Sequence, residues 1–523
     1  MKTIARRPVS TDPLSPWAVA LLASAMGGGL LLASSYGAKW FLMVFISYVT
    51  AAVALLFRDI RYVGMLVLFA CAPIGIQYQL WTHGKAGVII EHFGGNPPEP
   101  VINLVDFSIY ALILIWIADL AVSERRMPRW LRFDTCVLLF LLVSLLSLLN
   151  ISSDTRTGFY LWLFEVLRYA KYYLLYWVLR TYIANPTAIR GFFGVSLAVL
   201  VLQGLVACLQ YFLYFQLPIA VGGVASTQFL DMSGETIQRV TGLLGHANTF
   251  AAYLIIPLSC AMILLVSRVS LWIKTAVAPV FLFGCLTMIL TFSRNGWMTL
   301  ALCAAMIAVI AMKKAIIPVN LVVFATISVL YGAGMIYGFG IRTPILHDLT
   351  GGSRSAGSAD LLEAIHVRLF EDTGESADTR WDLLGIAGRM IMDHPLIGIG
   401  LNTYEEQMVS YDINGTTSII QQPVHNVYAL VAAESGVTAA LLFILAGFIL
   451  ILKSYELAKS EDSHLWAIGA LGLCTFVGLG LANNLDVSFR KEPVLGLVVI
   501  ISALVMSCSS GAFASQETLP SGR

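Results

Sequence analysis

An arginine offers phosphate a planar fork of N–H donors, and a neutral histidine accepts a proton from a hydroxyl near pH 7. Arg239, Arg294 and His425 supply both kinds of group, and each lies at or near an end of a long apolar run. Arg294 sits in Thr291-Phe-Ser-Arg-Asn-Gly-Trp297, a turn with almost no loop, so its charge lies close to hydrocarbon and needs a partner. The alternative is an interfacial arginine snorkelling to lipid headgroups. Arg239 precedes Val-Thr-Gly-Leu-Leu-Gly-His246-Ala-Asn248, where Asn248 is expected to cap a helix whose first amides favour an anion. An ordinary loop arginine is the other reading. His425-Asn426 opens a later apolar run, either as general base for a sugar hydroxyl or as a plain helix-start histidine. Tyr428 lies three residues on, over the same face. A further set, Glu165, Arg168 and Lys171, forms a row inside one apolar run. It is either a self-neutralising structural row or part of an access path for a polar headgroup.

The chain that must position these groups has 523 residues, is 58% hydrophobic and 12% charged, and has a mean hydropathy of +0.80. A soluble domain carries roughly 25% charged residues. Half of that leaves too little polar surface for a water-facing globule, so the class is integral membrane protein. A net charge of +1 and the lack of a basic patch give no case for nucleic acid. The histidines show no i, i+4 pair and no Cys/His cluster, so no metal or other cofactor is expected. The eight cysteines fall in or beside apolar runs and read as small apolar filler, not as a disulfide framework.

A span needs about 20 mostly apolar residues, which gives about fourteen candidates: 17–36, 38–57, 61–81, 101–122, 135–151, 160–180, 191–215, 248–267, 272–292, 295–312, 316–340, 425–452, 464–483 and 494–510. Lys2, Arg6 and Arg7 precede the first, which reads as an uncleaved helix. With the N-terminus inside, eighteen lysines and arginines fall on the inner side and seven in short outer segments. That orientation places Arg239, Arg294 and His425 together on the outer side. It depends on the 292–295 turn, which is short enough to be a re-entrant kink instead. One long segment, Ile341 to Val424, lies outside the apolar runs and on the outer side. Its first part, Thr350-Gly-Gly-Ser-Arg-Ser-Ala-Gly-Ser, reads as flexible. It then shows an amphipathic helical pattern from Asp378 to Asp393, with Trp381, Leu384, Ile386, Met390 and Ile391, closed by Pro395. A loop of this length suggests a functional lid.

Four stretches resemble the O-antigen ligase and polymerase family of bacterial envelope enzymes. They are Arg239 to Asn248, Thr291 to Trp297, Arg380-Trp with Asp393-His-Pro-Leu-Ile-Gly-Ile-Gly-Leu-Asn-Thr-Tyr404, and His425-Asn-Val-Tyr with Glu434-Ser-Gly436. Their order, with a long outer loop between the second and the last, carries the resemblance over roughly residues 235 to 450. The first half of the chain is similar only in hydropathy. The resemblance implies an all-α polytopic membrane glycosyltransferase of the bacterial inner membrane, working at its periplasmic face without metal or nucleotide-sugar. Its donor would be a glycan on undecaprenyl pyrophosphate. The family's essential arginines fall on Arg239 and Arg294 and its catalytic histidine on His425. Arg380 matches a commonly basic loop position, and Asn248, Tyr428 and Glu434 are supporting candidates. Asn295-Gly296 departs from the usual residues after the second arginine, without touching the charge.

The expected organisation is therefore N-terminal spans over 1–234, spans bearing the two arginines over 235–340, a periplasmic loop over 341–424 and C-terminal spans over 425–523. The expected activity is polymerisation of carrier-linked repeat units into O-antigen or exopolysaccharide. A ligase that moves finished glycan onto lipid A–core is the alternative within the family. Partners would be the carrier-linked donor, a glycan or lipid A–core acceptor, the bilayer and, optionally, a chain-length regulator. A transporter or flippase is the rival from another class, and a scaffold for a secretion complex is the blandest reading.

Overall fold

The computed structural model describes residues 60–74, 77–79, 101–122, 127–151, 156–183, 186–213, 227–232, 235–313, 374–418 and 422–510. The expected spans 17–36, 38–57 and 316–340, and the loop stretch 341–373, lie outside the described residues. The chain divides at Val63 into two units, and the second, Gly64–Arg523, holds every described element except the first four residues of the helix Ile60–Cys71. Among the described residues nine helices are long and apolar enough to cross a membrane. This is a polytopic, overwhelmingly helical membrane protein.

The first span expected within the described residues, 61–81, is not one helix. Helix α1 (Ile60–Cys71) gives way to a turn at Pro73, which cannot continue it. Strand β1 (Gln77–Gln79) then pairs antiparallel with β2 (Val101–Asn103). The next span therefore begins at Leu104 rather than 101, as α2 (Leu104–Val122). Helices α3 (Arg132–Leu146), α4 (Arg156–Tyr182) and α5 (Pro186–Leu213) follow close to their expected positions. A hairpin of β3 (Thr227–Met232) and β4 (Glu235–Val240), absent from the sequence reading, leads to α6. These two short strand pairs are additions to a helical bundle.

Helix α6 (Ala247–Val266) is almost wholly enclosed. It packs against α5, α7 (Leu271–Leu290), α8 (Arg294–Lys313) and α12 (Ser463–Leu473). Apolar residues all round α6 suit that central place. Residues 291–293 form a tight turn between α7 and α8, both of which pack on α6, so the two helices form a hairpin. Helix α12 continues to Ala482 through a π-helical stretch, Cys474–Leu479. Helix α13 (Glu492–Ser509) completes the bundle.

The segment before α11 contributes α9 (Gly374–Asp393) and α10 (Tyr404–Tyr411). The amphipathic pattern is present in α9, with one correction: Trp381 is exposed, and the buried face is Leu383, Ile386, Ala387 and Met390. A tryptophan on the wet side of a loop helix obeys the composition pattern but not the register. The buried face joins Tyr404, Met408, Val424, Leu430 and Val487 in one small core beneath the loop.

Helix α11 (Val427–Ala458) is broken at Gly436, whose φ is +86°. The loop segment after Pro395 docks into that break. Ile399 N donates to Ala433 O (2.9 Å), Gly400 N to Glu434 O (3.1 Å), and Val437 N to Pro395 O (2.8 Å). A Cβ on Gly436 would lie 2.2 Å from the Leu396 carbonyl oxygen, and one on Gly398 2.3 Å from the Glu434 carbonyl carbon. Backbone therefore meets backbone, which only glycine permits.

Candidate functional site

Arg239 is placed by its neighbours on both sides. It is buried at the end of β4, its Nε donates to Thr291 O (2.9 Å), and its Nη2 donates to Asn248 Oδ1 (2.6 Å). Asn248 is thus not the cap of α6. His246 occupies the N-cap position without a side-chain cap bond, and the Asn248 amide anchors Arg239 instead. The following turn is held by two glutamines one face apart on α5. Gln210 Oε1 accepts from Thr241 N (3.1 Å) and Gly242 N (2.9 Å), and Gln203 Oε1 accepts from Leu243 N (2.9 Å). Gly242 has φ +56°, and a Cβ there would lie 2.5 Å from Gln203 Oε1.

Arg294 is the first residue of α8 and half-buried. The carbonyl that holds Arg239 belongs to Thr291, so Arg239 is tied to the turn that leads into Arg294. Phe292 in that turn is fully buried at φ +49°, a conformation an aromatic residue holds only where surrounding structure enforces it. Ring contact with Trp297 (6.5 Å between centroids) and the Trp297 Nε1 bond to Met288 O (3.0 Å) provide that enforcement.

The next residue, Asn295, donates to Ala482 O (2.9 Å). Residues 482–484 also grip the start of α11: Val427 N donates to Asn483 O (2.9 Å) and Asn426 Nδ2 to Asn484 O (3.3 Å). Arg294 and His425 therefore flank the same short turn. Asn426 caps α11 through its Oδ1, fixing the residue that follows His425. Burial holds His425 below the ordinary histidine value, with Arg380 and Lys491 acting in the same sense and Asp486 opposing them. His246 is pushed down to about 4 by burial, then by Lys491, Arg239 and His425, again against Asp486. The fields of Arg239, His246, His425, Asp486 and Lys491 overlap at one end of the bundle. Exposed Arg380, on α9, acts on His425 from above.

The other candidates hold the scaffold. Tyr428 OH donates to Gly480 O (2.7 Å), tying α11 to the end of the π-helical stretch. Glu434 is buried and accepts from Arg490 Nη1 (2.9 Å) and from Tyr404 N (3.3 Å). Arg490 also donates to Asn402 and lies 4.0 Å from Glu165, which pairs with Arg168. Lys171 bridges Asp106 (2.6 Å) and Glu492 (3.0 Å). The charged row on α4 is thus paired by partners on α2, α13 and the 488–490 turn, which is its structural reading. An apolar groove of about 360 Å³ runs between α3, α4, α11 and α13, with Tyr428, Glu434 and Arg490 among its lining residues.

His246, Gln203, Gln210, Asp486, Arg490 and Lys491 were not read from the sequence as site residues. Gln203 and Gln210 do carry a signal, two amides seven residues apart within an apolar run. Arg490 and Lys491 stand as paired charges between the last two spans.

The family profile for O-Antigen ligase matches residues 279–444, which hold Arg294, Arg380, His425, Tyr428 and Glu434. A search of curated proteins returns no match to the chain.

Proposed function

Because residues 279–444 carry an O-antigen ligase domain, we propose that this protein is a glycosyltransferase that joins undecaprenyl-pyrophosphate-linked repeat units at the periplasmic face of the inner membrane. The convergence of Arg239, Arg294 and His425 on the 291–294 and 482–486 turns carries this reading. The acceptor hydroxyl oxygen attacks the anomeric carbon while His425 takes its proton. The bond from that carbon to the pyrophosphate oxygen breaks, and its electron pair stays on the pyrophosphate. Arg239 and Arg294 stabilise that growing charge in a poorly hydrated site, where fixed donors act most strongly. Arg239 enters the reaction already aimed, since the Thr291 carbonyl and Asn248 hold its fork. The apolar groove beside Tyr428 suits the carrier's hydrocarbon chain.

The length of the chain and its many spans favour a polymerase over a ligase. Purified protein in proteoliposomes, given carrier-linked oligosaccharide, tests this. A polymerase yields longer carrier-linked chains and free undecaprenyl pyrophosphate. A ligase yields glycan on added lipid A–core. Movement of the donor across the bilayer with no new glycosidic bond would overturn both and favour a flippase.

A further inference from the structure

Glu434 does more than pair with Arg490, because one of its oxygens brings two remote segments together. Its Oε1 accepts from both Tyr404 N and Arg490 Nη1. The residues that follow these donors in sequence are Glu405 and Lys491. Tyr404 also packs in the core under the loop with Val424 and Val487, the neighbours of His425 and Asp486. Three chain segments thus meet here, and they carry Glu405, His425 and, on the one stretch 486–491, Asp486 and Lys491.

Within this group the two carboxylates differ. Asp486 is engaged by its own turn, accepting from Val487 N and Ser488 Oγ (2.7 Å each). The Glu405 carboxylate accepts no hydrogen bond among the described residues. Arg490, Lys491 and Glu434 face it, and burial pushes it up to about 7, with Glu434 adding to the rise and the two cations opposing it. Burial also pulls Lys491 below its ordinary value, with Glu405 the foremost group acting against that. An anion beside a diphosphate site repels the donor's headgroup. It is useful there only for a ligand that donates hydrogen bonds.

We propose that Glu405 binds the acceptor sugar, its carboxylate taking a hydrogen bond from a hydroxyl of the incoming glycan beside Lys491, at the edge of the cationic cluster. This rests on the transferase reading above. A carboxylate is an acceptor with several lone pairs, so it orients a hydroxyl without consuming it. The reacting hydroxyl's proton still goes to His425.

The test uses full-length protein in nanodiscs. Undecaprenyl pyrophosphate is the binding probe, and carrier-linked repeat units report transfer. Glu405→Gln is expected to transfer roughly tenfold more slowly or worse, the loss of one charge-assisted hydrogen bond. It should bind undecaprenyl pyrophosphate as well as or better than wild type, because a repelling charge is gone. Glu405→Asp should recover part of the transfer. Transfer by Glu405→Gln at the wild-type rate overturns the proposal, and so does weakened probe binding, which would mark a structural role. Failure of the wild type itself to bind the probe would refute the transferase reading, and this inference with it.

Discussion

A guanidinium can recognise a diphosphate only if it is held still, and Arg239 shows how this chain holds one. Its fork is fixed by a backbone carbonyl from the α7–α8 turn and an amide from the first turn of α6. His425 is tuned in the complementary sense. Burial and nearby cations keep its imidazole neutral where an ordinary histidine begins to take protons. The sign follows directly. A general base works in its neutral form, so transfer is lost as pH falls through its lowered value and holds from there upward. Glu405, pushed up to about 7, adds a second loss in the same direction nearer neutrality. The pH profile of transfer should therefore show two acid-side losses in wild type and only the lower one in Glu405→Gln. A profile in that variant with no acid-side loss down to the pH at which the protein unfolds would remove His425 as the base. The arginines and His425 stand out in the sequence as candidates because each is a charged or titratable group at the end of an apolar run. Glu405 does not, since one acid in a polar loop looks like any other until Glu434 draws its neighbour inward.

At the level of elements, the break in α11 is what joins the segment carrying α9 and α10 to the bundle. Helical geometry ends at Gly436, and the freed carbonyls of Ala433 and Glu434 accept amides from the Ile399-Gly400 segment. An alanine at Gly436 would combine a left-handed φ with a Cβ 2.2 Å from the Leu396 carbonyl oxygen. Gly436→Ala is expected to cost about 3 kcal/mol or more. That should appear as a clear drop in the melting temperature of the detergent-solubilised protein. An unchanged melting temperature would mean the loop is not docked there. The amphipathic pattern of α9 and most helix positions were legible, because burial on one face or all round leaves a periodic or continuous apolar mark. The β3–β4 hairpin and the end of α1 were not, because a strand inside or beside an apolar run leaves no distinct period. The glycines at 398 and 436 stood in the motifs, but their meaning depends on two segments that meet only in three dimensions.

Across the whole molecule, the packing brings one set of helix ends together. Asn150 at the end of α3 donates to Gly398 O (2.7 Å), Leu401 N to Ser147 Oγ (3.0 Å), and Lys171 on α4 pairs with Glu492 at the start of α13. Arg239, Arg294 and His425 lie next to helix ends that the count of positive residues in short loops predicts to share one side. Hydropathy made the order and approximate positions of most described spans legible. It could not reveal that buried pairs such as Lys171–Asp106 and Arg490–Glu434 tie the helices together, since those partners are far apart in sequence.

The central claim is that the arginines hold a diphosphate and the histidine moves a proton. Its most direct test is a titration of undecaprenyl pyrophosphate into purified wild type, Arg294→Lys and His425→Ala. Arg294→Lys should bind roughly tenfold more weakly or worse, because an ammonium cannot reproduce the fork, while His425→Ala should bind like wild type. Wild-type affinity in Arg294→Lys would contradict the account.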